Sequence, residues 1–133
     1  MIIRLTKNFT LDEFKCKDGT EVPVVFLKNV QLLAENLQVL RDHLNVPIDL
    51  SSGYRTPEYN KKVDGEDQSL HLVAKASDIT TRDFTPDEIA DTIEKLIQEG
   101  KMKQGGLGRY NGFTHYDVRG TKARWDKRKK RKG

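Results

Sequence analysis

The chain has 133 residues, 33% of them charged and 8% aromatic, which suits one domain with a modest core. No apolar run approaches the ~20 residues that cross a bilayer, and Met1-Ile2-Ile3-Arg4 is too short for the apolar segment of a signal peptide. The net charge of +4 is uneven: eight Lys/Arg and one acid lie between Lys122 and Gly133, a net +7, so residues 1–121 carry −3.

In chain order, Met1 to Arg4 reads as a short strand or an anchored terminus. Thr10-Leu11-Asp12-Glu13 matches a capping box, so a short helix starts there, and Lys17-Asp18-Gly19-Thr20 reads as a turn. Cys16, the single cysteine, excludes an internal disulfide, is compatible with a reducing cytoplasm, and is expected to pack as a small hydrophobe. Val30 to Leu44 is the clearest helix, with Leu33, Leu37, Leu40 and Leu44 at spacings of three and four. His43, in its last turn, reads as a capping or surface residue rather than a ligand. Ile48 to Ser52 reads as a strand. Thr56 and Pro57 then open a second helix as N-cap and N1 residue. Arg55 leaves that strand ahead of the helix, where a planar guanidinium forms either a surface ion pair or a bidentate clamp on a carboxylate.

Lys61 to Gln68 is polar and reads as a loop. Asp78-Ile79-Thr80-Thr81 is β-branched and reads as a strand, with Ala76 and Asp78 on one face. His71 precedes it across a turn. Thr85-Pro86-Asp87-Glu88 is a second capping box and starts a helix to about Gln98, closed by Gly100. Asn111-Gly112 predicts a two-residue hairpin that sets the Leu107–Tyr110 strand beside the His115 strand. Gly105, Gly106 and Gly108 lack phosphate-loop spacing, and no helix follows them. From Asp126 onwards nearly every residue is Lys or Arg, and disorder is expected. There is no internal repeat. The order of elements predicts an α+β fold: a small antiparallel sheet with helices packed on one side and a metal groove on the other.

His71, Asp78 and His115 supply three protein ligands of the kind a catalytic zinc takes, with water as the fourth. His115 and Asp117 alternate onto one strand face. A lone His is more often a satisfied polar residue, and an Asp after a loop a cap, so spacing alone leaves both readings open.

Ser69-x-His71-x-x-Ala74-x-Ala76-x-Asp78 resembles the S-x-H-x-x-G-x-A-x-D signature of the M15 zinc peptidases, with Ala74 where that family usually has Gly. These are D-Ala-D-Ala carboxypeptidases and related cell-wall endopeptidases, including phage endolysins. Asn8–Cys16, Ser52–Thr56, Gly105–Tyr110, Phe113–Asp117 and Arg124-Trp125 are similar, in order, to blocks of the short single-domain branch. The resemblance implies a zinc peptidase domain over residues 1–125, the family's fold (agreeing with the one predicted here), and a basic tail over 126–133. It implies one Zn2+ on His71, Asp78 and His115, and Arg55 as the substrate-binding arginine. Peptidoglycan peptides would be the substrate.

Many members of the family place a Glu three residues before the last ligand, and here that residue is Gly112. Asp117 is then either the general base or the group that orients His115. Ser69 shapes the turn or touches substrate. Nucleophilic attack by Ser69 is disfavoured, because zinc would claim the His and Asp needed to activate it. Without a signal segment, a wall-acting enzyme made in the cytoplasm reaches its substrate by release or in a virion. Two other classes are weighed against this. A non-catalytic zinc domain that binds a partner is favoured slightly by the missing Glu, while Arg55 speaks against it. A nucleic-acid-binding protein is disfavoured by the acidic body, and the basic tail would equally contact anionic wall polymers.

Overall fold

The apolar stripe of the first long helix seats it against the sheet. In the computed structural model, which describes residues 2–129, α1 spans Leu27–Leu44 and buries Val30, Leu33, Ala34, Leu37, Leu40 and Leu44. It starts three residues before the expected Val30 because a 3-10 turn, Val24–Phe26, leads straight into it. Asn45 ends it in the left-handed conformation (φ 57°), its N–H bonded to the Arg41 carbonyl. α2 (Pro57–Lys62) is capped by Thr56 and has Pro57 in its first turn. α3 (Pro86–Gln98) carries the full capping box: Glu88 N–H donates to Thr85 Oγ1, and Thr85 N–H to the Glu88 carboxylate. Gly100 follows it at φ 74°.

Five strands form one sheet in the order β1-β2-β4-β3-β5. They are β1 (Asp49–Ser52), β2 (Ala76–Thr80), β3 (Gly106–Arg109), β4 (Thr114–Asp117) and β5 (Ala123–Asp126). The fold is α+β, as expected, and three of the pairings are antiparallel. The expectation of a wholly antiparallel sheet fails at the fourth, because β5 lies parallel to β3 and the sheet is mixed. After β4 the chain reverses near Gly120 and passes to the far side of β3. A strand antiparallel to β4 must there run parallel to β3.

Alternation sorts the two faces. Ile79, Leu107 and Tyr116 join the core built with α1 and α3, and all three are almost fully buried. The other face carries Asp78, His115, Gly108 and Trp125 in one row across β2, β4, β3 and β5. Ala76, Asp117, Gly106 and Ala123 form the next. Helices on one side and polar groups on the other is the arrangement expected.

The hairpin differs from its two-residue prediction. Arg109 pairs with Thr114, which leaves a four-residue loop, and Gly112 is not at positive φ as a primed turn would require. Tyr110 and Phe113 close the loop instead, their rings stacked at 4.3 Å. Cys16 is buried as expected. The N-terminus is anchored by a bridge from Arg4 to Thr10. Among the described residues no helix is long and apolar enough to cross a membrane.

The structure describes the first four residues of the stretch for which disorder is expected. Asp126 ends β5, Lys127 N–H donates to the Arg109 carbonyl (2.8 Å), Arg128 pairs with Asp87 and Asp126, and Lys129 N–H donates to Asn111. The rest of the basic run, 130–133, lies outside the described residues. A backbone hydrogen bond contributes about 1 kcal/mol net, whereas surface ion pairs add little. A chain ending at Trp125 should therefore melt roughly 2–8 °C below one ending at Lys129. Equal melting temperatures in a calorimetric scan would show that residues 126–129 add nothing.

Candidate metal centre

The register of β2 and β4 sets Asp78 directly opposite His115. His71 arrives from a 3-10 turn, Leu70–Val73, whose start is capped by Ser69: its hydroxyl accepts from His71 N–H at 3.2 Å. Ser69 thus shapes the turn and also lines the cleft above it. The turn ends at Ala74 with φ 58°, the left-handed region where glycine is free of strain. That explains a glycine preference at this position of the motif.

The three side chains are buried together, and one ligand atom from each lies within 4.8 Å of the others. Each imidazole has one nitrogen committed elsewhere. His71 Nδ1–H donates to the Gly53 carbonyl at 2.7 Å, which leaves Nε2 facing Asp78 Oδ1 at 3.3 Å. His115 Nε2–H donates to Asp117 Oδ2 at 2.7 Å, which leaves Nδ1 facing the same Asp78 oxygen at 3.1 Å. Zinc–ligand bonds near 2.0–2.1 Å imply tetrahedral edges of about 3.3 Å. Both separations to Asp78 fall close to that edge, and the three atoms lie within 4.8 Å of one another, so the group could hold a small cation. His43 is exposed on α1 and takes no part, as expected.

Arg55 donates to Asp78 Oδ2 at 3.2 Å, to Ser52 Oγ at 3.0 Å and to Asn60 Oδ1 at 3.1 Å. Three of its five N–H groups are therefore spent on the protein, and its first contact is the metal-facing carboxylate. Burial pushes the Asp78 carboxyl up, but hydrogen bonds from His115 and His71 outweigh it and hold it below the usual carboxylate range.

Asp117 is fully buried. Its Oδ1 accepts from the Gly106 N–H (2.9 Å), the Arg119 N–H (3.2 Å) and Arg119 Nε (2.9 Å), and its Oδ2 from His115 and from Arg119 Nη2 (2.8 Å). Burial raises its pKa, yet the His115 and Arg119 hydrogen bonds prevail and it stays below the ordinary range. Burial likewise opposes a charged His115, but Asp117 and Asp78 raise its pKa above the ordinary imidazole value. A carboxylate with both oxygens engaged is placed to orient His115.

The cleft over these groups encloses about 1130 Å³. Glu66, Asp67, Tyr110, Phe113, Trp125 and Arg119 are among the residues that line it. Sequence reasoning missed the contributions of Arg119, Gly106 and Gly108. A Cβ on Gly106 would stand 2.1 Å from Asp117 Oδ2, and one on Gly108 2.3 Å from Trp125 Nε1. Their alternation on β3, in step with Asp117 and Trp125, was the available signal.

The Trp125 ring lies 4.8 Å from His115, and its N–H donates to the Tyr110 hydroxyl at 2.9 Å. Gly108→Ala must therefore displace the indole, at a cost of about 1–3 kcal/mol. Fluorescence of this lone tryptophan should shift to the red and the melting temperature fall. Gly112→Ala, with open space around it, should change neither. An unmoved spectrum in Gly108→Ala would remove the packing argument.

No curated protein matches the chain. The family model described as Peptidase M15 matches residues 7–117 of the 133. The matched stretch takes in Arg55, Ser69, His71, Asp78, His115 and Asp117. On that match the chain belongs to the peptidase M15 family.

Proposed function

We propose that the protein is a zinc-dependent peptidase that hydrolyses peptide bonds in the peptidoglycan stem or cross-link, next to a D-amino acid. The observation that carries this reading is the convergence of His71 Nε2 and His115 Nδ1 on Asp78 Oδ1, at 3.3 and 3.1 Å, beneath an open cleft. Two imidazoles and one carboxylate form a donor set suited to zinc, with one position left for water or substrate. Zinc in such a site acidifies a bound water and polarises a carbonyl.

The chain's own groups do the remaining work. Asp117 holds His115 in the tautomer that presents Nδ1. Arg55 steadies Asp78 and keeps two N–H groups with which to meet a substrate carboxylate. Ser69 sets the turn that delivers His71 and contacts substrate from the cleft floor. With Asp117 engaged, a proton acceptor is sought among the other carboxylates of the cleft. Glu66 and Asp67 line it and are exposed. Cations from Lys127 onwards, starting at the cleft wall, meet anionic wall polymers.

The test is mass spectrometry of defined muropeptides after digestion, with and without a chelator. Chelation should abolish cleavage, and metal analysis should find one zinc per chain, lost in His71→Ala and His115→Ala and kept in His43→Ala. Full zinc retention in both ligand variants would exclude the site. Zinc binding with no cleavage of any wall peptide would favour a metal-containing binding domain, the reading encouraged by Gly112 at the usual Glu position.

Asp117→Asn separates the two roles of that residue. If it orients His115, zinc affinity should fall about 10- to 100-fold and activity should return with excess zinc. A rate loss of roughly 10²–10⁴ at unchanged zinc affinity would instead mark a general base. Under the role proposed here, that second pattern should appear in Glu66→Gln or Asp67→Asn.

A further inference from the structure

We propose that Arg119 is a positioning residue of the metal centre, acting through Asp117 on His115. This deepens the reading of the site as a zinc centre and rests on it in part. Arg119 leaves β4 two residues after Asp117 and folds back on it. Its Nε and Nη2 donate to the two carboxylate oxygens at 2.9 and 2.8 Å, a bidentate fork that fixes the carboxylate plane. Its guanidinium carbon lies 5.5 Å from the centroid of the Trp125 ring. Trp125 in turn packs on His115, and His115 donates to Asp117. Cation, carboxylate, imidazole and indole thus close a ring of contacts with His115 as the only member facing Asp78.

The ring matters because of what Asp117 would do without it. A lone carboxylate can rotate about its last side-chain bond. Two parallel hydrogen bonds from a planar guanidinium remove that freedom and aim Oδ2 at His115 Nε2. With the Nε2 proton held there, Nδ1 is the nitrogen that faces Asp78. His71 is oriented independently, by the Gly53 carbonyl. Arg119 therefore acts on one of the two imidazoles and leaves the other alone. Its side chain is 33% exposed on the cleft wall, so the fork forms at the surface edge of a buried carboxylate rather than inside the core.

That asymmetry makes the idea testable apart from stability. In the full chain, Arg119→Ala and Arg119→Lys are compared with wild type by zinc affinity, from competition with a chromophoric chelator, and by proton spectra of histidine-labelled protein. Wild type should show protected downfield signals from both His115 Nε2–H and His71 Nδ1–H. Arg119→Ala should lose or broaden the His115 signal, keep the His71 signal, and bind zinc about 10- to 100-fold more weakly. Ethylguanidinium added to Arg119→Ala should recover part of both. Arg119→Lys should fall between, because an ammonium cannot bind both oxygens in one plane.

Unchanged zinc affinity and an unchanged His115 signal would overturn the proposal. Equal loss of both histidine signals would also overturn it, since that marks a general loosening of the fold. A wild-type chain that binds no zinc would sink the zinc reading alone, because the His115 signal in metal-free protein still decides whether Arg119 positions the ring.

Discussion

The antiparallel register of β2 on β4 is the constraint on which the rest of the site depends. It pairs Asp78 with His115 and Ala76 with Asp117. Side chains alternate with period two, so a slip of one residue would turn both ligands towards α1 and α3 and bring Ile79 and Tyr116 to the cleft. The hydrophobic face prevents that slip: Ile79, Leu107 and Tyr116 are almost completely buried, and the Tyr116 hydroxyl donates to the Lys103 carbonyl at 2.7 Å. Fully burying one such side chain is worth about 1.5–3 kcal/mol. The helix side of the sheet therefore holds the metal side in register.

The cleft side solves a different problem, which is room. A sheet face that carries His115, Asp117, Arg119 and Trp125 cannot also carry side chains on the strand between β4 and β5. β3 contributes Gly106 and Gly108 there, and the neighbouring strands contribute Ala76 and Ala123. The bare backbone of β3 has a second use, since the Gly106 N–H binds Asp117 directly. β5 completes the layer by adding in parallel to β3 and laying Trp125 over Gly108. The Arg124 fork onto Glu94 of α3 holds that edge strand to the helix layer from the other face.

Elements with a local cause were legible in the sequence. The Thr85–Glu88 capping box, the leucine stripe of α1 and Thr56-Pro57 each need only neighbours within a turn or two, and each forms as expected. The convergence of three candidate ligands was legible too: strand alternation and the family motif point to His71, Asp78 and His115, and the structure brings these three together. What was not legible depends on partners distant in the chain. β5 is too short and too charged to read as a strand by itself, and it exists because the open edge of β3 and the α3 carboxylate Glu94 receive it. The hairpin was misread because a stacked Tyr110–Phe113 pair overrode the Asn111-Gly112 turn preference. The hydrogen bonds from Arg119 and Gly106 to the Asp117 carboxylate were not legible, because no local pattern marks either residue as its partner.

Charge balance in the buried layer gives these placements one further consequence. Asp78 and Asp117 are both buried, and each has its own arginine: Arg55 at the Asp78 oxygen turned away from the imidazoles, and Arg119 across both oxygens of Asp117. An unpaired buried carboxylate would be strongly destabilising, so each pair is needed before any metal arrives. With the pairs in place, the ligand atoms satisfy one another through hydrogen bonds, and no buried side-chain donor or acceptor among the described residues lacks a partner. The centre is thus preformed and polar rather than vacant and strained. A cation held by His71, His115 and Asp78 would need the lone pairs of His71 Nε2 and His115 Nδ1, so any proton on either nitrogen would have to leave first. Metal binding at these residues would therefore release protons and weaken as the solution becomes more acidic, while the two arginine pairs, which involve no imidazole nitrogen, would keep the carboxylates in place throughout.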